Sequence, residues 1–197
     1  MSAGGAGGRP PPGAAAGAPA RADILVREAT AEDVPAIQAI YAHHVLGGLA
    51  SFEEAAPDAP EMDRRRRDVL ARGLPYLVAA RGGVVRGFAY AAPFRPRSAY
   101  RFTVEDSVYV APDAVGQGFG RAALTEVIRR CTALGLRQMV AVIGDSGNGA
   151  SIRLHESLGF QRAALLRSVG FKLGRWVDIV IMQRPLGEGD RSLPSLP

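Results

Sequence analysis

The stretch VAPDAVGQGFGRAAL, Val110 to Leu124, limits the possible folds of this chain more than any other segment. It places glycines at 116, 118 and 120 between an apolar, strand-like run and a run with helical periodicity. The first turn of a helix has backbone N–H groups without intrahelical partners and a partial positive charge, so it binds anions such as phosphate. The stretch therefore predicts a strand, an anion-binding loop and a helix, although glycine spacing alone is equally typical of a tight turn before a helix.

Two common phosphate-binding loops do not fit this spacing. The glycines follow GxGxG rather than the GxGxxG of dinucleotide-binding folds, and no acid-bearing second βαβ unit follows at the right place. No Lys-Ser or Lys-Thr pair follows the last glycine, so the loop is not a nucleotide triphosphatase P-loop either. An anion held here belongs to another class of ligand.

Strand-like and helix-like patterns alternate through residues 23–186 in the order β, α, α, β, β, β, α, β, α, β, β. The predicted helices run from the Thr30–Asp33 capping box to about Ala42, from Pro60 to Ala71, from Gly118 to Leu134 and from Asn148 to Leu158. The predicted strands are 23–29, two runs joined at 81–83, 103–110, 138–143, 160–169 and 176–183. This alternation predicts one α/β (α+β) domain at 23–186.

The two ends of the chain have a different composition. Residues 1–22 are mostly Gly, Ala and Pro, and residues 187–197 read GEGDRSLPSLP, so we expect both to be disordered. The first segment lacks the basic start and apolar stretch of a secretory signal, and no other run is long and apolar enough for a membrane helix. The single cysteine, Cys131, excludes an intramolecular disulfide. These features predict a cytoplasmic protein without a membrane partner.

The charge pattern argues against nucleic acid and against metal. The net charge is +5, which suits a small anionic ligand, and Lys172 is the only lysine among 24 basic residues. The block DRRRRD at 63–68 is bracketed by acids and has no interleaved aromatics, so it predicts a solvated helix face. Three histidines without a spaced acid, and one cysteine, do not make a metal site.

A second motif, NGASIRLHESLGF at 148–160, begins another predicted helix and ends it abruptly at Gly-Phe. The succession of strand, glycine loop, helix, strand, Asn-led helix and LGF resembles the GNAT family of acyl-CoA-dependent N-acetyltransferases from Ile24 to Leu186. The runs TVEDSVYV, VAVIG and GFKLGRWVD look like its phosphinothricin and methionine sulfoximine acetyltransferases. The resemblance implies a mixed central sheet of about six to seven strands flanked by about four helices. It also implies acetyl-CoA as co-substrate, a small-molecule amine as substrate and a homodimer.

The resemblance further implies which residues bind the cofactor. In the family, a [Q/R]xxGx[G/A] loop receives the CoA pyrophosphate and an Asn contacts the cofactor arm, which map onto Val115 to Gly120 and onto Asn148. Val115 replaces the family's Gln or Arg, so the backbone amides of Gln117 to Arg121 have to hold the pyrophosphate, helped by the Arg121 side chain. The predicted cofactor-binding residues are Val108, Tyr109, Val110, Val115, Gly116, Gln117, Gly118, Phe119, Gly120, Arg121, Asn148 and Ser151.

Acetyl transfer to an α-amine needs a base, because the ammonium must lose its proton before it attacks. Glu105, near the start of TVEDSVYV, is the predicted base, as the resemblance also implies, and burial there would raise its pKa. The alternative is that Glu105 only caps a sheet edge or pairs with an arginine. Asp106 is the weaker candidate, because neighbouring side chains of a strand point to opposite faces. The oxyanion would be met by backbone N–H groups near Val108 or Tyr109.

His155 stands where many GNAT enzymes have a tyrosine that donates a proton to the thiolate. An imidazole can do this, or share the work of the base with Glu105, since its ordinary pKa is near neutrality. A lone histidine on an amphipathic helix otherwise tends to hold a carbonyl group. His43 and His44, near the end of the first predicted helix, are predicted to be structural and to favour the helix dipole.

An amino-acid substrate carries a carboxylate, for which a guanidinium is the natural partner. Arg95 aligns with a substrate-binding arginine of the resembling enzymes, Arg97 is a nearby competitor, and either could instead be a solvated loop residue. The predicted substrate-binding residues are Phe52, Arg95, Tyr100 and Glu105. Lys172 and Asp178, in GFKLGRWVD, are predicted to support the pocket or a subunit contact.

Two other functions remain open at this point. A protein or peptide N-acetyltransferase needs an open groove lined with acids, whereas RPRSAYRF at 95–102 supplies positive charge. A non-catalytic acyl-CoA-binding sensor is favoured by Val115 but disfavoured by the presence of both Glu105 and His155. The sequence favours an enzyme that acetylates a small amino-acid analogue, an activity that the resemblance links to herbicide or antibiotic resistance.

Overall fold

The computed structural model describes Met1 and residues 23–194, which are built around one seven-stranded sheet. The strands are β1 Leu25–Glu28, β2 Tyr76–Arg81, β3 Val84–Pro93, β4 Thr103–Val110, β5 Gln138–Gly144, β6 Gln161–Lys172 and β7 Arg175–Pro185. The helices are α1 Val34–Gly47, α2 Ala59–Ala71, α3 Phe119–Ala133 and α4 Gly149–Ser157. The predicted order of elements and the mixed sheet are confirmed.

The strand order is β1-β2-β3-β4-β5-β7-β6. Among the described strands, only β4 and β5 pair in parallel, joined by the crossover through α3, and every other neighbouring pair is antiparallel. A parallel pair needs such a crossover, whereas antiparallel neighbours are joined by short turns. The glycine loop therefore lies at the crossover that connects these two parallel strands.

Side-chain alternation along β3 assigns the helices to the two faces of the sheet. Phe88 stacks on Tyr109, whose ring meets Tyr41 of α1 edge-on at 4.9 Å between centroids, so this face lies under α1 and α2. Gly87 faces the other way, where a Cβ built on it would meet the Phe119 Cβ of α3 at 3.5 Å. α3 and α4 thus cover the face opposite α1 and α2.

Helix α3 anchors this second face through a buried stripe at helical spacing, which includes Leu124 and Val127, each 0% exposed. We expect Leu124→Ala to lower the free energy of unfolding by about 2–5 kcal/mol, because it removes apolar contact and leaves a cavity. Urea unfolding of the purified variant measures this value. Leu134→Ala is the matched control, since Leu134 is 54% exposed and its truncation should cost little. Equal losses in the two variants would contradict this description of the core.

The first helix departs from its predicted end. The capping pair forms, with the Thr30 N–H donating to the Asp33 carboxylate at 2.8 Å, but it opens a 3₁₀ turn at Ala31–Asp33 before α1 begins. Helix α1 then continues past the predicted end at Ala42 to Gly47, because nothing in the intervening run breaks a helix. This extension brings His44 to the sheet.

The predicted disordered ends fall partly outside the described residues, namely at 2–22 and 195–197. Residues 187–190 form a turn, and the Arg137 guanidinium donates to the Gly189 carbonyl at 3.2 Å, the Ser192 hydroxyl at 3.0 Å and the Leu193 carbonyl at 3.0 Å. This part of the predicted tail is thus tied to the domain. The domain bounds at 23 and 186 stay a prediction.

The basic block at 63–68 lies in α2, and each of its arginines is paired with an acid. The pairs are Arg64 with Glu61 and Asp68, Arg65 with Glu53 and Glu61, Arg66 with Asp63, and Arg67 with Asp63. Arg66 is only 8% exposed and also donates to the Ala29 carbonyl at 3.0 Å, so the predicted solvated face is wrong at this residue. The block contributes little free positive charge.

None of the helices among residues 23–194 combines the length and apolar character that crossing a bilayer requires. In the same part of the chain, no three His, Cys, Asp or Glu side chains are grouped so that they could hold a metal ion.

Candidate active site

The candidate site is the gap that opens where β4 and β5 separate. The two strands pair only from Thr103–Asp106 to Gln138–Ala141. Beyond that point β4 stays paired with β3, and β5 stays paired with β7. The second halves of the two strands therefore diverge and leave a cleft of about 550 Å³ between them, closed by the starts of α3 and α4.

The glycine loop shapes one wall of this cleft. Gly116 and Gly118 have left-handed φ angles of 76° and 95°, which side chains rarely tolerate. Gly118 is the N-cap of α3, and helix geometry leaves the N–H groups of Phe119, Gly120 and Arg121 without intrahelical acceptors. A Cβ on Gly120 would meet Val110 Cγ2 at 3.2 Å and Leu154 Cδ2 at 3.4 Å, so the helix start packs directly on the cleft walls. The loop offers several backbone donors to one anion.

All of the predicted cofactor-binding residues except Gln117 line the cleft. The side-chain Oε1 of Gln117 accepts from Arg81 at 3.1 Å, and its side-chain Nε2 donates to the Asp113 carbonyl at 2.8 Å. The Gln117 backbone N–H donates to the Ala114 carbonyl at 3.3 Å. The predicted cofactor contact of Gln117 is therefore not supported by the structure. Its side chain instead stabilises the glycine loop through its bonds to Arg81 and Asp113.

Asn148 performs a capping role at the cleft wall. Its side-chain oxygen accepts a hydrogen bond from the Ser151 N–H at 3.2 Å, which starts α4 and holds both residues beside the cleft. In the first turn of α3, the Arg121 guanidinium donates to the hydroxyl of Ser157, the last residue of α4, at 2.7 Å. Arg121, Asn148 and Ser151 all line the cleft.

Glu105 lies across β4 from the cleft, on the face under α1 and α2, where it pairs with Ala92 of β3. Burial raises its pKa above the ordinary value, the Arg95 charge opposes this shift, and the Asp106 charge adds to it. A carboxylate with a raised pKa is suited to accept a proton near neutrality.

Arg95 and Tyr100 are brought together by Phe94, a residue that the sequence reasoning missed. The Arg95 guanidinium lies over the Phe94 ring, 4.3 Å from its centroid, and the Tyr100 ring meets Phe94 edge-on at 5.7 Å. A 3₁₀ turn at Ser98–Tyr100 positions Tyr100. The sequence signal for this role was weak, since it consisted only of an aromatic residue, Phe94, between Pro93 and the Arg95-Pro96 pair.

Phe52 lies apart from that group, on the α1–α2 connection at the ends of β5 and β6. Its ring covers Gly170 so closely that a Cβ there would collide with it, and a Cβ on Gly144 would meet its Cε1 at 3.2 Å. The buried Lys172 ammonium donates to the Ser51 carbonyl at 2.6 Å, and burial lowers its pKa. Lys172 therefore supports the loop that carries Phe52, in agreement with one of its two predicted roles.

His155 is 2% exposed on the cleft wall, and both of its ring nitrogens have partners. Nδ1 lies 2.8 Å from the Ser151 carbonyl oxygen, and Nε2 lies 3.0 Å from Asp106 Oδ2. Burial lowers the pKa of His155, but the hydrogen bond and charge of Asp106 outweigh burial, so the pKa is raised. Strand alternation separated Asp106 from Glu105 correctly but gave no sign that it would meet His155.

His44 is a second cleft residue that the sequence reasoning missed. Its Nε2 donates to the Val110 carbonyl at 2.9 Å, which ties the end of α1 to the end of β4. Burial lowers the pKa of His44. Its bond to the Val110 carbonyl is a structural contact, and its predicted interaction with the helix dipole stays a prediction.

Similarity to known proteins identifies the family of this chain. Residues 38–160 match the acetyltransferase (GNAT) family. The chain belongs to the GNAT family. A phosphinothricin N-acetyltransferase of Alcaligenes faecalis is 59% identical over 175 residues, which cover 89% of each chain. An L-methionine sulfoximine/L-methionine sulfone acetyltransferase of Salmonella typhimurium is 42% identical over 168 residues, 84% of this chain and 96% of that protein.

A solved GNAT structure supports the same conclusion. The phosphinothricin acetyltransferase from Sinorhizobium meliloti, crystallised in complex with AcCoA, matches with a TM-score of 0.85 at 48% identity, over 87% of this chain and 93% of that one. The predicted family, fold and enzyme class are confirmed: this GNAT chain is an N-acetyltransferase.

Proposed function

We propose that this GNAT enzyme moves the acetyl group of acetyl-CoA to the α-amino group of a small amino-acid analogue of the phosphinothricin, methionine sulfoximine or methionine sulfone type. The observation that carries the proposal is the divergence of β4 and β5 over the glycine loop, with Glu105 on the far side of β4. The substrates named for the relatives support the substrate class. Resistance to such analogues is part of this proposal.

The donor set of the cleft fits acetyl-CoA. The free N–H groups at the start of α3 and the guanidinium groups of Arg121 and Arg153, which also line the cleft, suit a pyrophosphate. The unpaired edge of β4 beyond Asp106 suits an extended amide-bearing arm. Acetyl-CoA, when bound, supplies the thioester carbonyl that the amine attacks.

The proposed roles of the chain's own residues follow from their positions. Glu105 takes the proton from the substrate ammonium, and backbone N–H groups near Val108 or Tyr109 stabilise the developing oxyanion. His155 takes part in returning a proton to the leaving thiolate. The Arg95 guanidinium, held over Phe94, binds the substrate carboxylate.

The role of Arg95 gives a direct prediction. We expect Arg95→Met to raise the KM for the amine by about 10–100-fold, because a charge-assisted hydrogen bond of ~1.5–3 kcal/mol is lost. Steady-state kinetics with saturating acetyl-CoA measure this change. Arg97→Met is the matched control, since Arg97 is an exposed arginine two residues along the same loop. The opposite ranking of the two variants would transfer the role to Arg97.

We further propose a homodimer formed through the β6–β7 hairpin. This hairpin exposes a row of large apolar side chains that a second copy could cover: Leu165, Leu166, Val169, Phe171 and Trp176. Phe171 and Trp176 pack edge-on at 5.4 Å, and both are more than half exposed. Light scattering of the purified protein tests the mass.

We assign the enzyme to the cytoplasm because its only cysteine, Cys131, is a free, buried thiol.

The test of the activity is release of free thiol from acetyl-CoA against a panel of amino-acid analogues and one N-terminal peptide. Turnover of a sulfoximine, sulfone or phosphinate supports the proposal. Turnover of the peptide alone would replace it with the peptide N-acetyltransferase, and acetyl-CoA binding without any turnover would replace it with the sensor.

A further inference from the structure

The buried contact between Asp106 and His155 fixes the position of one proton. The Ser151 carbonyl can only accept, so Nδ1 of His155, 2.8 Å away, carries a hydrogen. At the other nitrogen, Nε2 and Asp106 Oδ2 are 3.0 Å apart, and two bare acceptors at that distance would repel each other. One more proton therefore lies between the ring and the carboxyl group.

The second oxygen of Asp106 has no such partner. The Asp106 side chain is 1% exposed, and its Oδ1 lacks a hydrogen-bond partner within the part of the chain that the structure describes. Buried carboxylate oxygens are almost always paired, so an unpaired one is costly unless a ligand or function uses it. Asp106 lines the cleft together with His155.

Phe160 and Cys131 are neighbours of this buried pair. Phe160 meets the imidazole edge-on at 5.0 Å between centroids. From α3, Cys131 faces Asp106, and burial together with the Asp106 charge raises the pKa of this thiol to about 12, so it stays neutral. The other ionisable side chains of the cleft are His44, Tyr109, Arg121 and Arg153. Among the described residues that line the cleft, Asp106 is therefore the only carboxyl group, and it is hydrogen-bonded to the His155 imidazole.

We propose that Asp106 and His155 act as a single acid, and that Asp106 is the member that hands the proton to the cleft. Both nitrogens of His155 are held by the protein, whereas the Asp106 carboxyl group is held at Oδ2 only. Rotation about the Cβ–Cγ bond carries a proton received from Nε2 to the position of Oδ1, the buried oxygen without a hydrogen-bond partner among the described residues. Asp106 is thus the catalytic residue, and His155 supplies it.

The step balances in atoms and charge. As the neutral amine forms its bond to the acetyl carbon, the carbon–sulfur bond breaks and its electron pair goes to sulfur. The new amide nitrogen releases its excess proton to solvent. The sulfur takes the proton from the Asp106 carboxyl group, which leaves an aspartate beside a neutral imidazole. This couple is a pair of facing acceptors, so it regains a proton from solvent before the next turnover. The step rests on the proposed acetyl transfer.

The first readout needs no turnover. Imidazole NMR of the wild type should give a His155 titration midpoint above the ordinary value of about 6.5, and Asp106→Asn should move it below that value. If the asparagine variant does not fold, the wild type alone decides, because a buried imidazole without a charged partner titrates below its ordinary pKa. A midpoint below the ordinary value in the wild type overturns the shared proton, even if acetylation occurs.

The second readout is kcat at saturating substrates as pH rises. In the wild type kcat should fall when the pair loses its proton, and Asp106→Asn should lower kcat by about 10²–10⁴-fold and abolish that alkaline limb. His155→Gln should give a similar loss, and the double variant no more than either single one. Asp68→Asn, an exposed ion-paired acid on α2, is the control and should not change kcat. Losses that multiply in the double variant, or an unchanged alkaline limb, overturn the proposal.

Discussion

Replacing Glu105 with glutamine is expected to lower kcat for amine acetylation by about 10²–10⁴-fold, the usual contribution of a general base. Glutamine keeps the size and hydrogen-bonding shape of the side chain but cannot accept the ammonium proton. Burial holds the pKa of Glu105 above its ordinary value, so wild-type kcat should fall as pH drops through that raised pKa. The variant should lose this acid limb. Thiol release followed across pH measures both effects.

The control for Glu105 is Glu28→Gln, which removes an exposed carboxylate at the far edge of the sheet. It should leave kcat and its pH dependence unchanged. An acid limb that persists in the Glu105 variant would assign the base to another group, and the substrate carboxylate site at Arg95 would then need re-examination, because the two charges are coupled.

Replacing Gly120 with valine is expected to weaken acetyl-CoA binding by about 10²–10⁴-fold. Even a Cβ at this position would meet Val110 Cγ2 at 3.2 Å and Leu154 Cδ2 at 3.4 Å, so a branched side chain must push the start of α3 outward. The loss of two charge-assisted hydrogen bonds, at ~1.5–3 kcal/mol each, accounts for this range. Isothermal titration calorimetry gives the Kd directly.

Gly47→Val is the matched control for Gly120. Gly47 is the last residue of α1, and a Cβ there has no heavy atom within 4 Å. Circular dichroism should show both variants folded. If acetyl-CoA binds the Gly120 variant within threefold of the wild type, then the start of α3 does not hold the pyrophosphate.

The order of helices and strands was predictable because each element carries its own periodic pattern and its own stop signal. The glycine loop and the Asn148 cap are local features, and the structure has both where the sequence predicts them. Element ends were less predictable. Helix α1 runs on to Gly47, since no glycine or proline interrupts it earlier, and β6 extends to Lys172 through a bulge between Leu166 and Gly170.

The sequence predicted which segments line the cleft better than it predicted which side chains contact each other there. Nearly all the predicted cofactor residues line the cleft because they belong to two local motifs. Which side chain meets which across the fold depends on register between distant elements. Asp106 and His155 are 49 positions apart, and His44 and Val110 are 66 positions apart. The partner of the Gln117 side chain was equally unpredictable, since Arg81 comes from the end of β2.

The bond between Lys172 and the Ser51 carbonyl has a practical consequence for chemical labelling. Lys172 is the only lysine of the chain and is 4% exposed. Amine-directed reagents should therefore modify the folded enzyme at its amino terminus and leave this side chain untouched. Slow acylation of Lys172 would then report release of the loop that carries Phe52, and mass spectrometry of the modified chain would measure how often that loop opens.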